Sequence, residues 1–252
     1  VAQQTKASKT RADVALVDRG LVETRSRAQA LILAGKVFSG ERRVEKAGET
    51  VADDAPLEVR GQDHPWVSRG GLKLDHALEE LAIDAAGAVA IDVGASTGGF
   101  TDVLLARGAA RVYAVDVGHG QFAWKLRNDD RVVVLEKTNA RHLTNEQIPE
   151  PVSAIVCDAS FIGLETVLPA SMALAAPGAW LVALIKPQFE VGRDQVGKKG
   201  VVRDPALHEA VCDRIRGWLD VQPGWRVIGL AESPITGPEG NKEFLIGAAY
   251  DG

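Results

Sequence analysis

The chain has 252 residues, of which 46% are hydrophobic and 25% charged, enough for one substantial core and a small second one, which excludes a disordered or fibrous protein. Two cysteines, Cys157 and Cys212, and five scattered histidines supply neither a disulfide framework nor paired zinc-ligand spacing, so a reducing cytoplasm is the expected compartment. The net charge of −5 is uneven: residues 1–46 hold ten Lys or Arg against five Asp or Glu, net +5, leaving −10 for the remainder, as when a small basic module suited to a polyanion is joined to a larger acidic body.

The start, VAQQTKASKT, is polar and lacks the apolar core of a signal peptide, so export by that route is not expected; its first ten or so residues are expected to be flexible. Val14, Val17 and Leu21, then Ala28, Leu31 and Ile32, fall at helical spacing and predict two short amphipathic helices divided at Gly20. After Gly35, the residues Val37, Phe38, Val44, Val51, Leu57 and Val59 stand among Gly40, Gly48 and Pro56, a pattern of short strands and tight turns. Residues 1–60 are thus expected to form one domain, 61–67 a linker beginning GQDHP, and 68–252 a second domain.

In that second domain a helix around Lys73–Leu81 precedes strands over Val89–Val93, Arg111–Val115, Val132–Leu135, Ala154–Cys157, Leu181–Ile185, Arg226–Leu230 and Phe244–Ala249, with helical stretches between them. The alternation predicts an α/β fold, a doubly wound, mainly parallel sheet covered on both faces. The uncharged stretch Thr166–Ile185 approaches a bilayer span in length. Pro169 and the Pro177-Gly178 pair divide it into a buried helix over Val167–Ala175 and a strand over Ala179–Ile185, so no membrane span is expected.

Chemistry concentrates in IDVGASTGGFTDVLL, residues 91–105, where a strand ends in Asp92, passes a Gly-rich turn and enters a helix whose free N–H groups can meet a ligand. The next strand ends at Asp116, 24 residues after Asp92, where an acid can accept hydrogen bonds from ribose hydroxyls. Gly94, Ser96 and Gly98 depart from the dinucleotide G-x-G-x-x-G spacing. They match the G-x-S-x-G of a hydrolase elbow, but that reading gives Asp116 no role; a purely structural turn leaves both acids unexplained. Gly192–Lys199 mimics a phosphate loop, yet puts Lys199 where Ser or Thr must hold magnesium. Residues 187–204 are read instead as a glycine- and lysine-bearing surface loop beside the site, a candidate substrate clamp. Cys157, inside an apolar strand, reads as core, and the histidines have no catalytic role.

The motifs RADVALVDRGLVETRSRAQALILAGKVFSG, WVSRGGLKL, DVGASTGGFTDVLL, AVDVGHGQ, LRNDDRVVVLEKTNAR, DASFIGLETVLP and KPQFEVG, in that order, make the chain similar over nearly its whole length to the TlyA family, hemolysin-like proteins understood as rRNA 2′-O-methyltransferases. The resemblance implies a small N-terminal α+β S4-type RNA-binding domain and a Rossmann-like, seven-stranded FtsJ-like methyltransferase sheet. It implies S-adenosylmethionine as cofactor, with Asp92, Gly94, Ser96, Thr97 and Gly98 on its methionine side, Asp116 at its ribose and Asn139 near its adenine. It also implies a Lys-Asp-Lys-Glu set at Lys73, Asp158, Lys186 and Glu243. No metal is expected, since the leaving group is a neutral thioether.

A ribose 2′-hydroxyl is a poor nucleophile, so transfer benefits from a base or from positive charge facing the developing alkoxide. Lys186 is the candidate: as a base it needs burial or a second cation such as Lys73, whereas Asp158 and Glu243 favour its charged form. Glu243 is the weakest member and could be an ordinary strand-edge charge. The implied substrate is a cytidine ribose in 16S or 23S rRNA, or both, reached through the basic N-terminal domain. The alternatives are a non-catalytic RNA-binding ribosome-assembly factor and a membrane-active hemolysin, the latter disfavoured by the absence of a clean span.

Overall fold

The computed structural model describes residues 9–22, 24–60, 64–237 and 240–252. The N-terminal unit comprises β1 (Lys9–Arg11), α1 (Ala12–Asp18), α2 (Arg25–Leu33), β2 (Val37–Ser39), β3 (Arg42–Arg43), β4 (Thr50–Ala52) and β5 (Glu58–Val59). The two expected helices are present, and Gly20 between them has the left-handed φ of +64° that the turn requires. The Thr24 hydroxyl caps α2 by accepting the Arg27 amide at 3.2 Å. Leu16, Ala28, Ile32, Val37, Val44 and Val51 form its core, with strand order β3-β2-β5 and a separate antiparallel pair, β1 with β4.

The sequence reading missed β1, whose Lys9 and Thr10 fall in the segment expected to be flexible; residues 1–8 lie outside the described residues. It also missed Asp13, which is fully buried and accepts from Arg11 at 3.0 and 3.1 Å, Arg25 at 2.9 Å and Gln29 at 3.0 Å. These donors, Arg11 foremost, hold its carboxyl well below the usual carboxylate range. Of the expected linker, residues 61–63 lie outside the described residues, while Trp66 and Val67 pack against the body.

The body contains α3 (Gly70–Glu80), β6 (Val89–Val93), α4 (Gly99–Ala106), β7 (Arg111–Val115), α5 (Trp124–Arg127), β8 (Val132–Leu135), β9 (Val152–Cys157), α6 (Leu164–Val167), α7 (Pro169–Met172), β10 (Ala175–Ile185), α8 (Pro187–Glu190), α9 (Pro205–Asp220), β11 (Trp225–Glu232) and β12 (Phe244–Tyr250). Its seven-stranded sheet runs β11-β12-β10-β9-β6-β7-β8. The pairings of β6 through β10 are parallel, and β12 is antiparallel to both neighbours. Alternate residues serve two cores, as the two-residue period of a strand demands: Ile91 and Val93 face Val167, Met172 and Ile215, from α6, α7 and α9. Ala90 faces Leu74, Leu104 and Leu126, from α3, α4 and α5.

Three local expectations are corrected. The helix expected over Val167–Ala175 is split, because Pro169 has no N–H and opens a new helix, α7, that ends at Met172. The strand expected from Ala179 starts at Ala175, which pairs with Val152 before a register shift at Trp180; Gly178, at φ +84°, accommodates the irregularity. Within the expected loop 187–204, α8 follows Lys186 directly, and two short 3-10 turns, Arg193–Gln195 and Lys198–Gly200, come after it.

Candidate active site

The carboxyl ends of β6, β9 and β10 open into a cavity of about 520 Å³ lined by Asp92, Gly94, Ser96 and Thr97 together with Lys73, Asp158, Lys186 and Glu243. This is where an open α/β sheet collects ligands. Asp92 is fully buried; the Thr101 hydroxyl donates to its Oδ2 at 2.6 Å, and Oδ1 has no hydrogen-bond partner. Burial, with a smaller push from the neighbouring charges of Asp158 and Asp116, raises its pKa to about 7.

The turn after Asp92 is shaped by backbone crowding. Gly94 has φ +81°, and a Cβ there would come within 2.9 Å of Ala159 Cα, so the β6 and β9 loops approach at glycine distance. Gly98, at φ +94°, caps α4 against Phe122 and Leu126 and does not itself line the cavity. Ser96 adopts φ +49° without being glycine, local strain of the kind found at ligand loops. Its amide donates to Asp116 Oδ2 at 2.8 Å, and Gly118 N–H donates to Oδ1 at 2.7 Å. Asp116 therefore braces the turn from a separate narrow crevice shared with Ser96 and Phe122. Asn139 lines neither space: its side chain caps the turn Ala140–His142, accepting the Arg141 amide at 3.1 Å.

The four charged residues form two ion pairs. Lys73 Nζ lies 2.6 Å from Glu243 Oε2, with side chains 9% and 0% exposed. Lys186 Nζ lies 2.7 Å from Asp158 Oδ1 and donates to Asp158 O at 3.0 Å and Ser160 Oγ at 2.8 Å. The pairing narrows two of the readings left open by the sequence. Glu243 is not an edge charge, since β12 sits between β10 and β11. Lys73 is not an uncompensated cation for Lys186, since its charge is paired with Glu243.

Other features were not foreseen. Thr24, from the N-terminal unit, lines the same cavity. Phe161, one residue beyond Ser160, is 89% exposed at φ +64°, with its ring 4.9 Å from that of Phe189; an aromatic three residues after the strand-terminal Asp158 was the available signal. Lys198 and Lys199 are exposed and do not line the cavity. The Asn241 side chain clips the end of their loop, accepting the Val202 amide at 3.1 Å and donating to Gly200 O at 3.0 Å. Cys157 is buried, its thiol pushed up to about 12 by desolvation, as suits a core residue. No histidine lines the cavity, so Ser96 has no base of the kind a hydrolase elbow uses. Among the described residues no helix is long and apolar enough to cross a membrane.

The site suits a nucleoside cofactor bearing an ammonium group: Asp92 Oδ1 is a buried acceptor awaiting a donor, and the glycine turn leaves backbone exposed to a ligand. The FtsJ-like methyltransferase family matches residues 66–250, and the S4 domain matches residues 10–55. Over 245 residues the chain is 50% identical to the 16S/23S rRNA (cytidine-2′-O)-methyltransferase TlyA of Mycobacterium tuberculosis, covering 95% of this chain and 90% of that one. It is 49% identical over 248 residues to YqxC of Bacillus subtilis, covering 98% and 88%. A solved structure of a hemolysin-named protein from Streptococcus thermophilus is similar at TM-score 0.75 and 43% identity, over 97% of this chain and 90% of that one. With both domains matched in order and half of all residues shared with a full-length relative, the chain belongs to the TlyA family, in which an S4 domain precedes an FtsJ-like methyltransferase domain.

Proposed function

We propose that the chain is an S-adenosylmethionine-dependent 2′-O-methyltransferase of ribosomal RNA, acting in the cytoplasm on a cytidine ribose of 16S or 23S rRNA, or both. The observation that carries the reading is the meeting, at one cavity, of a buried acceptor on Asp92 with the Lys186–Asp158 and Lys73–Glu243 pairs. A non-catalytic assembly factor has no need of two desolvated ion pairs around a cofactor turn.

S-adenosylmethionine supplies a methyl group on a sulfonium whose departure leaves a neutral thioether, so no metal is required. Asp92 would hold the cofactor's ammonium group, the backbone around Gly94, Ser96, Thr97 and Gly98 its methionine part, and Asp116 its ribose hydroxyls. Asn139 is the proposed neighbour of the adenine and would have to share its capping bond to serve there. At the acceptor, the Asp158 carboxylate takes the 2′-hydroxyl proton, while the Lys186 ammonium stays charged and stabilises the oxygen as it becomes negative. Glu243 holds Lys73, so that both lysines keep fixed positions, and the remaining contribution is alignment for in-line displacement. Phe161 offers an exposed ring on which a splayed-out base can stack.

The division proposed is an S4-type RNA-binding domain over 1–60, a linker over 61–67 and a methyltransferase domain over 68–252. Arg27 and Lys46, exposed on the first of these, suit phosphate contacts, and α2 carries Thr24 to the cavity lip. The test is transfer of labelled methyl from S-adenosylmethionine to ribosomal subunits and free rRNA, with EDTA present and Lys186→Ala as control. Label recovered as alkali-resistant 2′-O-methylcytidine, and absent with the variant, is the expected result. Cofactor binding with no label on any RNA would overturn the reading in favour of an assembly factor.

A further inference from the structure

Two loops form the acceptor side of the cavity, and a carboxylate outside it ties them together. Asp158 follows β9 and opens the segment 158–163; Lys186 follows β10 and opens α8. Their ion pair joins the two loops at the roots. Four residues further on, Glu190 joins them again: its side chain, 4% exposed, accepts the Leu164 amide at 2.8 Å and pairs with Arg214 of α9 at 2.8 Å. Arg214 also reaches Glu165 at 2.6 Å. Gly163 leaves room for this contact, since a Cβ there would stand 3.2 Å from Glu190 Oε2. Glu190 itself does not line the cavity.

The three oxygens around the Lys186 ammonium all come from Asp158 and Ser160. Wherever segment 158–163 sits, the ammonium follows. The root of that segment is held by the Asp158 amide on Val93 O at 3.0 Å and its middle touches α8 through the Phe161–Phe189 ring contact, so Glu190 is the bond that fixes its far end. We propose that Glu190 is a positioning residue for methyl transfer, fixing segment 158–163 against α8 and thereby the place of the Lys186 ammonium. The inference rests on the methyltransferase reading of this same site.

The test uses the full chain. Glu190→Ala removes both bonds; Glu190→Gln keeps an oxygen for the Leu164 amide. A misplacement near 1 Å costs roughly 100-fold in rate, so Glu190→Ala is expected to lose about 10- to 100-fold in kcat. Cofactor Kd and RNA KM should stay within about twofold, Glu190→Gln should restore most of the rate, and amide exchange over 158–164 should quicken only in the alanine variant. If Glu190→Ala does not fold, Arg214→Gln releases the same carboxylate from the partly exposed side and should give the same selective fall in kcat. A normal kcat in a folded Glu190→Ala chain, or a loss shared equally by cofactor Kd and not rescued by glutamine, overturns the proposal while leaving the function intact. A wild-type chain that methylates no rRNA overturns both.

Discussion

Replacing Lys73 by methionine would strand Glu243 as an uncompensated charge in the interior. Glu243 is 0% exposed at the side chain and meets Lys73 at 2.6 Å, while its other oxygen, Oε1, has no partner that could take up the lost interaction. Removing one member of a buried pair typically costs about 3–5 kcal/mol. Because Lys73 is 9% exposed and some water can enter, the lower end applies, about 3 kcal/mol. For a chain of this size each kcal/mol moves the midpoint by roughly 2–4 °C, so Tm should fall by about 6–12 °C. Glu243→Leu alone strands the ammonium and should cost a similar amount, whereas Lys73→Met with Glu243→Leu leaves an apolar pair and should cost less than either single change. Thermal and urea unfolding of the four proteins without cofactor measures the coupling. Single losses below about 1 kcal/mol, or a double loss equal to the sum of the singles, would refute the picture of a desolvated, mutually dependent pair.

Asp92, raised from 3.8 to about 7, binds a proton in the folded chain that it lacks when unfolded between those values. Its contribution to stability is therefore full below about pH 4 and lost as pH rises through about 7; urea midpoints across that range should slope downward and flatten in Asp92→Asn. Cofactor affinity should rise over the same interval, as an ammonium ligand favours the ionised carboxylate, and a pH-independent Kd would contradict the assignment of Asp92. Asp13 runs oppositely: its lowered carboxyl stabilises the N-terminal unit above about pH 4 and fails as pH falls below it. Because Arg11 and Arg25 are about half exposed, Asp13→Ala should cost only about 1–2 kcal/mol, visible as faster amide exchange in α1 and α2. Deleting residues 1–60 should weaken RNA binding and flatten its salt dependence by about 0.7–0.9 log unit per lost phosphate contact; an unchanged slope would place the grip elsewhere.

The strands Val89–Val93 and Arg111–Val115 have the bounds their sequence suggests, because strands inside a parallel sheet are continuous apolar runs ended by Asp, Gly or charge; the edge strand Val132–Leu135 is legible too, as an unbroken run of β-branched and apolar residues. β1 is illegible by the same logic: Lys9-Thr10-Arg11 carries no apolar signal and is made a strand only by pairing with residues 50–52. The glycine-rich turn after Asp92 was legible as a motif, and its neighbours Lys73, Asp158, Lys186 and Glu243 by resemblance. Which lysine pairs with which acid was not, since Lys73 and Glu243 meet across 170 residues of sequence. Charge counting also overstated the free basic surface of the N-terminal unit. Arg19 spends its guanidinium on Ala52 O at 2.9 Å and Asp53 O at 3.1 Å, and Arg11 and Arg25 serve Asp13. Such commitments depend on side-chain reach in three dimensions, which neither periodicity nor spacing encodes.

The turn at Gly20 has a mechanical side. A Cβ at that position would stand 2.7 Å from Ala123 Cα and 2.8 Å from Gln121 O, so the N-terminal unit rests its bare backbone on the bare backbone of the body. Ala123 N–H in turn donates to Thr97 O at 3.1 Å, inside the turn that follows Asp92. At this one point the path from one unit to the other runs through peptide groups. A side chain introduced at position 20 would accordingly act as a wedge between the N-terminal unit and the backbone that leads to Thr97.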